Sequence, residues 1–304
     1  MTRRAVAINL LILVALGAGW GATQPLTKVA VSTGYQYMGL IFWQLMIGAV
    51  ATGAAVILGG KGLPRTPGAL WTYAVIAIIG TVLPNSASYQ AITHLPVGIH
   101  AILMSLIPMA AFPVALLLRL ERFSPLRFLG ILLGLAGVSL LVLPEASLPD
   151  RAMLLWVPVS LVSVLCYACE GNYVARWGTA GLDPLQVMCG ASIFGALLSL
   201  PIALGTGQFI SPVRAFGAPE WAFVAASLIH VLVYTGYVWL VGRAGPVFAV
   251  QVSYLVTGFG VLFAMVFLGE SYSPYFWIAA ALVLGGVFLV QPRAADGALT
   301  QEST

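Results

Sequence analysis

Apolar residues run along this chain in long charge-free windows, each near the length that crosses a bilayer. A spanning helix needs about 20 apolar residues at 1.5 Å of rise each. Cut where Pro, Gly and charge cluster, the windows predict ten spans: roughly 5–27, 35–59, 69–90, 97–118, 125–143, 153–175, 184–205, 219–241, 246–268 and 273–291. The window between Arg65 and Arg119 is too long for one helix. Thr93-His94-Leu95-Pro96-Val97-Gly98 supplies the break, because a proline ends a helix and restrains the residue before it. Other boundaries fall at Gly59-Gly60-Lys61-Gly62, Pro64, Pro144, Pro149, Asp183-Pro184 and Pro212, and no linker is long enough for a soluble domain. The pattern predicts an all-α integral membrane protein.

The pattern also repeats. Shifting residues 244–293 back by 149 lays them beside 95–144, so that Glu121 meets Glu270, Ser124 meets Ser273 and Pro125 meets Pro274. Gly137-Val138 likewise meets Gly286-Val287. Apolar matches mean little in such a chain, but a Glu-x-x-Ser-Pro between two apolar runs is informative when the chain has only six Glu. Each copy reads as apolar helix, polar turn, apolar helix, and the chain reads as two halves that each end in one copy. The boundaries predicted are 1–148 and 149–293 for the two five-helix halves, with a short cytoplasmic tail at 294–304.

Charge orients these spans. With the N-terminus inside, ten basic residues fall on the cytoplasmic side: Arg3, Arg4, Lys61, Arg65, Arg119, Arg122, Arg127, Arg176, Arg243 and Arg293. Three, Lys28, Arg151 and Arg214, fall outside. That asymmetry predicts both termini in the cytoplasm. Five spans per half is odd, so the second half is expected to be inverted. The turn Arg119–Arg127 carries three arginines where its copy Leu268–Phe276 has none, as opposite sidedness requires.

Composition agrees and adds exclusions. Of 304 residues, 61% are hydrophobic and 7% charged, with a mean hydropathy of +1.01; ordinary soluble domains carry about 25% charged residues. The net charge of +4 is modest. Arg3 and Arg4 precede an apolar run longer than a signal-peptide core, read as a retained first span. Cys166-x-x-Cys169 could be named a redox motif, but inside a membrane helix it reads as two small residues, and Cys189 adds no disulfide framework. The chain holds no His-Glu-x-x-His, Gly-x-Ser-x-Gly, Walker loop or intramembrane aspartate pair, so neither an enzyme nor an ATP-driven machine is expected. No cofactor or metal is expected, nor any nucleic-acid partner.

Polar side chains are unevenly spread. Predicted spans 5 and 10 carry almost none. Span 1 holds Trp20, Gln24 and Lys28 as a stripe, with Gly17 and Gly21 beside it, and span 2 holds Gln44. Span 3 holds Asn85 and Tyr89; span 4, His100 and Ser105; span 6, Tyr167, Glu170, Asn172 and Tyr173. Span 9 holds Gln251 and Tyr254, and His230, Tyr234 and Tyr237 share one face of span 8 at i, i+4, i+7. His230 at mid-span reads either as a neutral histidine bonded between helices or as part of a site. Lys28 is expected to snorkel to the outer surface. Glu170, the one acid well inside a span, reads as a counter-charge or proton carrier, or as a partner of Arg176. Glu121 and Glu270 are expected to cap and orient their hairpins.

Two five-span halves, each closing with a (Gly/Leu)-Glu-x-x-Ser-Pro turn and a Gly-rich helix, resemble the drug/metabolite transporter superfamily, EamA type. The likeness rests on Pro108–Gly137 and Thr257–Gly286, with Trp20-Gly21 as weaker support, and covers nearly the whole chain. Thr257 stands where the first copy has Pro108, and span 6 lacks a clear Trp-Ala pair. Among members the chain is most similar to YddG-type exporters of aromatic amino acids. The resemblance implies that spans 1–4 and 6–9 line a central cavity while 5 and 10 sit outside. It implies a secondary exporter in the inner (plasma) membrane, monomeric or weakly homo-oligomeric, working by alternating access on small amphipathic solutes. Substrate contact is expected from Trp20, Gln24, Asn85, Tyr89, His100, Tyr167, Glu170, Tyr173, His230, Tyr234, Tyr237, Gln251 and Tyr254. Aromatic amino acids are the first expectation; cationic drugs, a nucleotide sugar and a passive channel are the alternatives.

Overall fold

The computed structural model describes residues 3–143, 150–213 and 215–291. The predicted boundaries at Pro144 and Pro149, the junction between the predicted halves, Arg214, Arg293 and the 294–304 tail lie outside the described residues. Within them the chain is helical and has no strand. The helices are α1 (Arg3–Val31), α2 (Tyr37–Leu58), α3 (Pro67–His94), α4 (Val97–Leu117), α5 (Pro125–Val142), α6 (Trp156–Trp177), α7 (Pro184–Gly205), α8 (Ala218–Ala244), α9 (Val252–Leu268) and α10 (Pro274–Val290). Eight, α1 to α8, are long and apolar enough to cross a membrane; α9 and α10 are shorter apolar helices.

Local chemistry sets the starts. α3, α5, α7 and α10 each open on a proline preceded by a Thr, Ser or Asp, the arrangement that wastes no amide and caps the next ones. Thr66 and Ser124 accept from the amides of Ala69 and Arg127, and Asp183 forms a reciprocal capping box with Gln186. The repeated Ser-Pro begins a helix in both copies, but only Ser124 caps; Ser273 makes no cap bond and its Oγ has no hydrogen-bond partner.

Two helices depart from regular winding. In α3 the segment Ile78–Val82 is a π turn, and the Leu83 amide reaches back to the carbonyl of Ile78. Pro84 has no N–H to give the carbonyl of Gly80, and its ring crowds that turn, so the helix widens there. The predicted continuous span 246–268 is broken instead: a single turn, Pro246–Ala249, precedes α9. The amides of Gln251, Ser253 and Tyr254 bond to carbonyls three residues back, a tight winding that ends the first turn.

The main helix pairings are α1 with α8 and α9, α6 with α3 and α4, α2 with α7 and α8, α7 with α3, α4 with α9, and α5 with α10. Exchanging α1–α5 with α6–α10 maps this set onto itself. The finest instance is α5 against α10. A Cβ on Gly130 would lie 2.6 Å from the carbonyl oxygen of Gly286, and one on Gly137 would lie 2.9 Å from that of Ala279. The shift of 149 converts one pair into the other.

The connecting segments gather at two ends. At one, Lys28 meets Leu95, Met38 meets Gln208, and Gly98 meets Tyr272. α1 finishes there while its counterpart α6 begins there, with Trp156 stacked on His94 at 3.7 Å. At the opposite end Lys61 pairs with Asp183 at 2.8 Å and Arg243 bonds Asn9. Corresponding helices thus run antiparallel.

Candidate functional site

A cavity of about 590 Å³ opens between α1, α2, α3, α4, α6, α8 and α9. Residues of both halves line it, and none from α5 or α10 does. Nine of the expected contact residues lie on its wall: Trp20, Gln24, Asn85, Tyr89, His100, Tyr167, Glu170, His230 and Tyr237.

Most of the wall's polar groups are bonded to one another. Gln44 Oε1 accepts from Asn85 Nδ2 at 2.9 Å and from the Tyr89 hydroxyl at 2.5 Å, while Tyr167 donates to Asn85 Oδ1 at 3.0 Å. One side-chain network therefore ties α2, α3 and α6. His100 is buried with Ser88 at 2.8 Å on Nε2 and Ser160 at 2.9 Å on Nδ1. Trp20 Nε1 donates to His230 Nδ1 at 3.2 Å, and its ring lies 5.6 Å from that of Tyr237. Of the two readings of His230, the structure gives a ring bonded between α1 and α8 that also faces the cavity.

Glu170 is different. It lines the cavity, and its carboxylate sits over Gly80, where a Cβ would come within 2.6 Å of Cδ. The ion pairs among the described residues are Lys61–Asp183 and Arg127–Glu121, so the pairing with Arg176 does not form. The π turn of α3 thus presents a residue without a side chain to the one carboxylate on the wall.

Four expected contacts stand elsewhere. Tyr173 packs on the cluster around Tyr73, its ring 5.3 Å from Trp177. Gln251 donates to Gln291 at 3.0 Å. Tyr254 packs against the cluster of Leu103 and Val261. Tyr234 is half-buried in α8 and is not on the wall. Conversely Thr23, Thr27, Ser88, Ser227, Ser253 and Thr257 line the cavity. Small hydroxyls gave little signal in sequence, because they occur equally as internal helix bonds; Thr27 and Thr257 do donate to the carbonyls of Thr23 and Ser253.

One end of the bundle is latched by two charged groups. Lys28 Nζ donates to the carbonyls of Ile92, Thr93 and Leu95 at 2.6, 3.2 and 3.1 Å, at the C-terminus of α3. It closes a helix end rather than reaching an outer surface, and the negative end of the helix dipole suits a cation. Glu270 accepts from the amides of Val97 and Gly98 at 2.8 and 3.3 Å, the mirror case at the N-terminus of α4. Tyr272 donates to Glu270 at 2.5 Å. Burial, then the carboxylate beside it, push the Tyr272 phenol above its ordinary value, so it stays a donor. Glu270 caps a helix of the other half, not its own hairpin. Its repeat partner Glu121 bonds Arg127 at 2.7 Å within its own turn.

The model of the EamA-like transporter family matches this chain twice, over residues 7–143 and 154–291. The chain is 24% identical over 283 residues, 90% of each protein, to the "Probable terminal-alkyne amino-acid exporter" of Streptantibioticus cattleyicolor. It is 32% identical over 243 residues, 78% of each, to an uncharacterized protein of Pseudomonas aeruginosa. It is 22% identical over 248 residues, 78% of this chain and 58% of the relative, to a chloroplastic WAT1-related protein of Arabidopsis thaliana. A crystal structure 20% identical in sequence shares the fold, with a TM-score of 0.60 over 94% of this chain and 98% of that one. An all-helical, membrane-apolar chain with a cavity between its halves, matched by one family model over both of them, is a multi-pass membrane transporter and not an enzyme: it belongs to the EamA-like transporter family.

Proposed function

We propose that the protein is a secondary exporter of small amphipathic metabolites, aromatic amino acids first, by alternating access across the inner membrane. It does so with ten spans in two inverted five-helix repeats and both termini cytoplasmic. The observation that carries this is the cavity lined from both halves, with Lys28 and Glu270 closing helix ends at one end of the bundle. By the basic-residue asymmetry that end is the external one. Exchange symmetry of the helix pairings supports the repeat, and inverted repeats with a site between them are the plan of many secondary transporters.

In the mechanism, solute enters from the cytoplasmic end while Lys28 and Glu270 hold the external end shut. Rocking of one group of helices against the other breaks those bonds, and Glu121 exchanges Arg127 for the Val247 amide, the counterpart of Gly98 under the shift of 149; Pro246, the counterpart of Val97, has no N–H to offer. Trp20 and Tyr237 offer rings to an aromatic solute, and ring stacking is worth about 1–3 kcal/mol by the scale of base stacking. The relative named as an amino-acid exporter supports the substrate class. A nucleotide sugar fits poorly, because no Lys or Arg among the described residues lies on the cavity wall to meet its phosphates.

Uptake into proteoliposomes tests this with phenylalanine, leucine, a quaternary ammonium compound and a nucleotide sugar. Phenylalanine is expected to be carried saturably, and Trp20→Ala to weaken its apparent affinity roughly tenfold, more than for leucine. Uptake of the nucleotide sugar alone, or equal losses for both amino acids, would overturn the aromatic assignment.

A further inference from the structure

We infer that Glu170, seated on the π turn at Gly80, is the receptor for a positively charged nitrogen, so that the cavity selects solutes bearing an amine. The inference rests on reading this cavity as the substrate site.

A census of hydrogen-bonding groups on the wall leads there. Its hydroxyl hydrogens are largely committed: Thr23, Thr27, Ser105, Ser227, Ser253 and Thr257 donate to backbone carbonyls three or four residues back. The Tyr89, Tyr167 and Asn85 donors end on Gln44 and Asn85, and the Trp20 N–H ends on His230. Donors remain on Gln24, Gln44, Tyr237 and His230, and two acceptors stand out beside them. Gln24 Oε1 is buried and receives no hydrogen bond. The Glu170 carboxylate has no ion pair and is the only Asp, Glu, Lys or Arg on the described wall. Lys28, the cation on α1, is spent on three carbonyls at the C-terminus of α3.

A half-buried carboxylate without a protein donor is costly, and a ligand that brings the donors relieves that cost. An ammonium brings three donors and the opposite charge. The approach is built into α3: the π turn places glycine where any side chain would collide with Glu170. π turns in helices recur at functional positions, and here the widened turn has a stated use.

The test is binding to detergent-purified protein, read by calorimetry with three phenyl compounds. Phenylalanine and phenethylamine carry the amine; phenyllactate carries a hydroxyl in its place. Wild type is expected to bind the two amines at least tenfold more tightly than phenyllactate, the effect of one charge-assisted hydrogen bond. Glu170→Gln, of the same shape, is expected to erase that preference. Gly80→Ala, which ordinarily favours a helix and so leaves folding intact, is expected to lower it by displacing the carboxylate. Phenyllactate binding as tight as phenylalanine, binding of none of the three, or a preference that survives both variants would overturn the inference. Because the readout needs no transport, an exporter without amine preference would sink this inference and leave the exporter reading standing.

Discussion

Replacing Glu270 with alanine is expected to unlatch the closed end of the bundle. The carboxylate receives the first two amides of α4 and the Tyr272 hydroxyl. Those amides have no partner within their own helix. Each buried donor left unsatisfied costs about 1–3 kcal/mol. Gly98 keeps the Tyr272 hydroxyl as acceptor at 3.1 Å, so the loss falls on the Val97 amide and weakens the closed state by about 1–3 kcal/mol, a shift of roughly fivefold to a hundredfold in its population. The readout is labelling of a cysteine placed at Thr27, on the cavity wall toward that end, by an impermeant maleimide. Cys166, Cys169 and Cys189 are replaced beforehand. Labelling from outside is expected to rise steeply in Glu270→Ala and stay low in Glu121→Ala, whose carboxylate bonds Arg127 at the other end. Equal labelling of the two variants would show that Glu270 is not the latch.

The second large effect is expected where α5 and α10 touch. Gly130 and Gly286 bring the backbones of α5 and α10 together, and a Cβ on Gly286 would strike the carbonyl of Gly130 and come within 2.7 Å of Met109 Cε. A carbonyl held in a helix cannot step aside as a flexible side chain can. Gly286→Leu is therefore expected to cost at least the usual 1–3 kcal/mol of overpacking and to abolish most folded protein. Gly285→Leu is the control, since a Cβ there meets nothing within 4 Å. Small residues at such crossings let helices approach in lipid. Monodisperse yield and thermal stability measure both. Similar stability for the two variants would remove the close α5–α10 crossing from the account.

These two predictions also mark what the sequence could and could not tell. The Glu-x-x-Ser-Pro duplication was legible because charged residues are rare enough for a match to carry information. Its local part, serine and proline as helix starts, follows from cap chemistry alone. Which helix Glu270 would cap was not legible, since a carboxylate in a turn is satisfied by any helix N-terminus within reach. Lys28 is the same case with the sign reversed.

The site divides likewise. Helical spacing marked the cavity face of α1 at Trp20 and Gln24, and it grouped His230, Tyr234 and Tyr237 on α8, where Tyr234 is not on the wall. Tyr254 was expected at the site because it lies near mid-depth in a span read as one continuous helix through 246–268. Bonds to the third residue back wind the chain by about 120° per residue where an α-helix takes about 100°. The turn at Gln251 therefore moves Tyr254 off the face that counting predicted, onto the cluster with Leu103. The role of Gly80 could be sought only through Pro84, and a proline announces an irregular turn without naming the side chain it will face.

Counterflow in proteoliposomes tests the central claim most directly. Vesicles preloaded with unlabelled phenylalanine are diluted into trace labelled phenylalanine. A carrier whose cavity opens to one side at a time is expected to draw label inward transiently above its equilibrium level, and to do so more strongly as the preload rises. Uptake that never exceeds equilibrium at any preload would describe a passive pore and contradict alternating access.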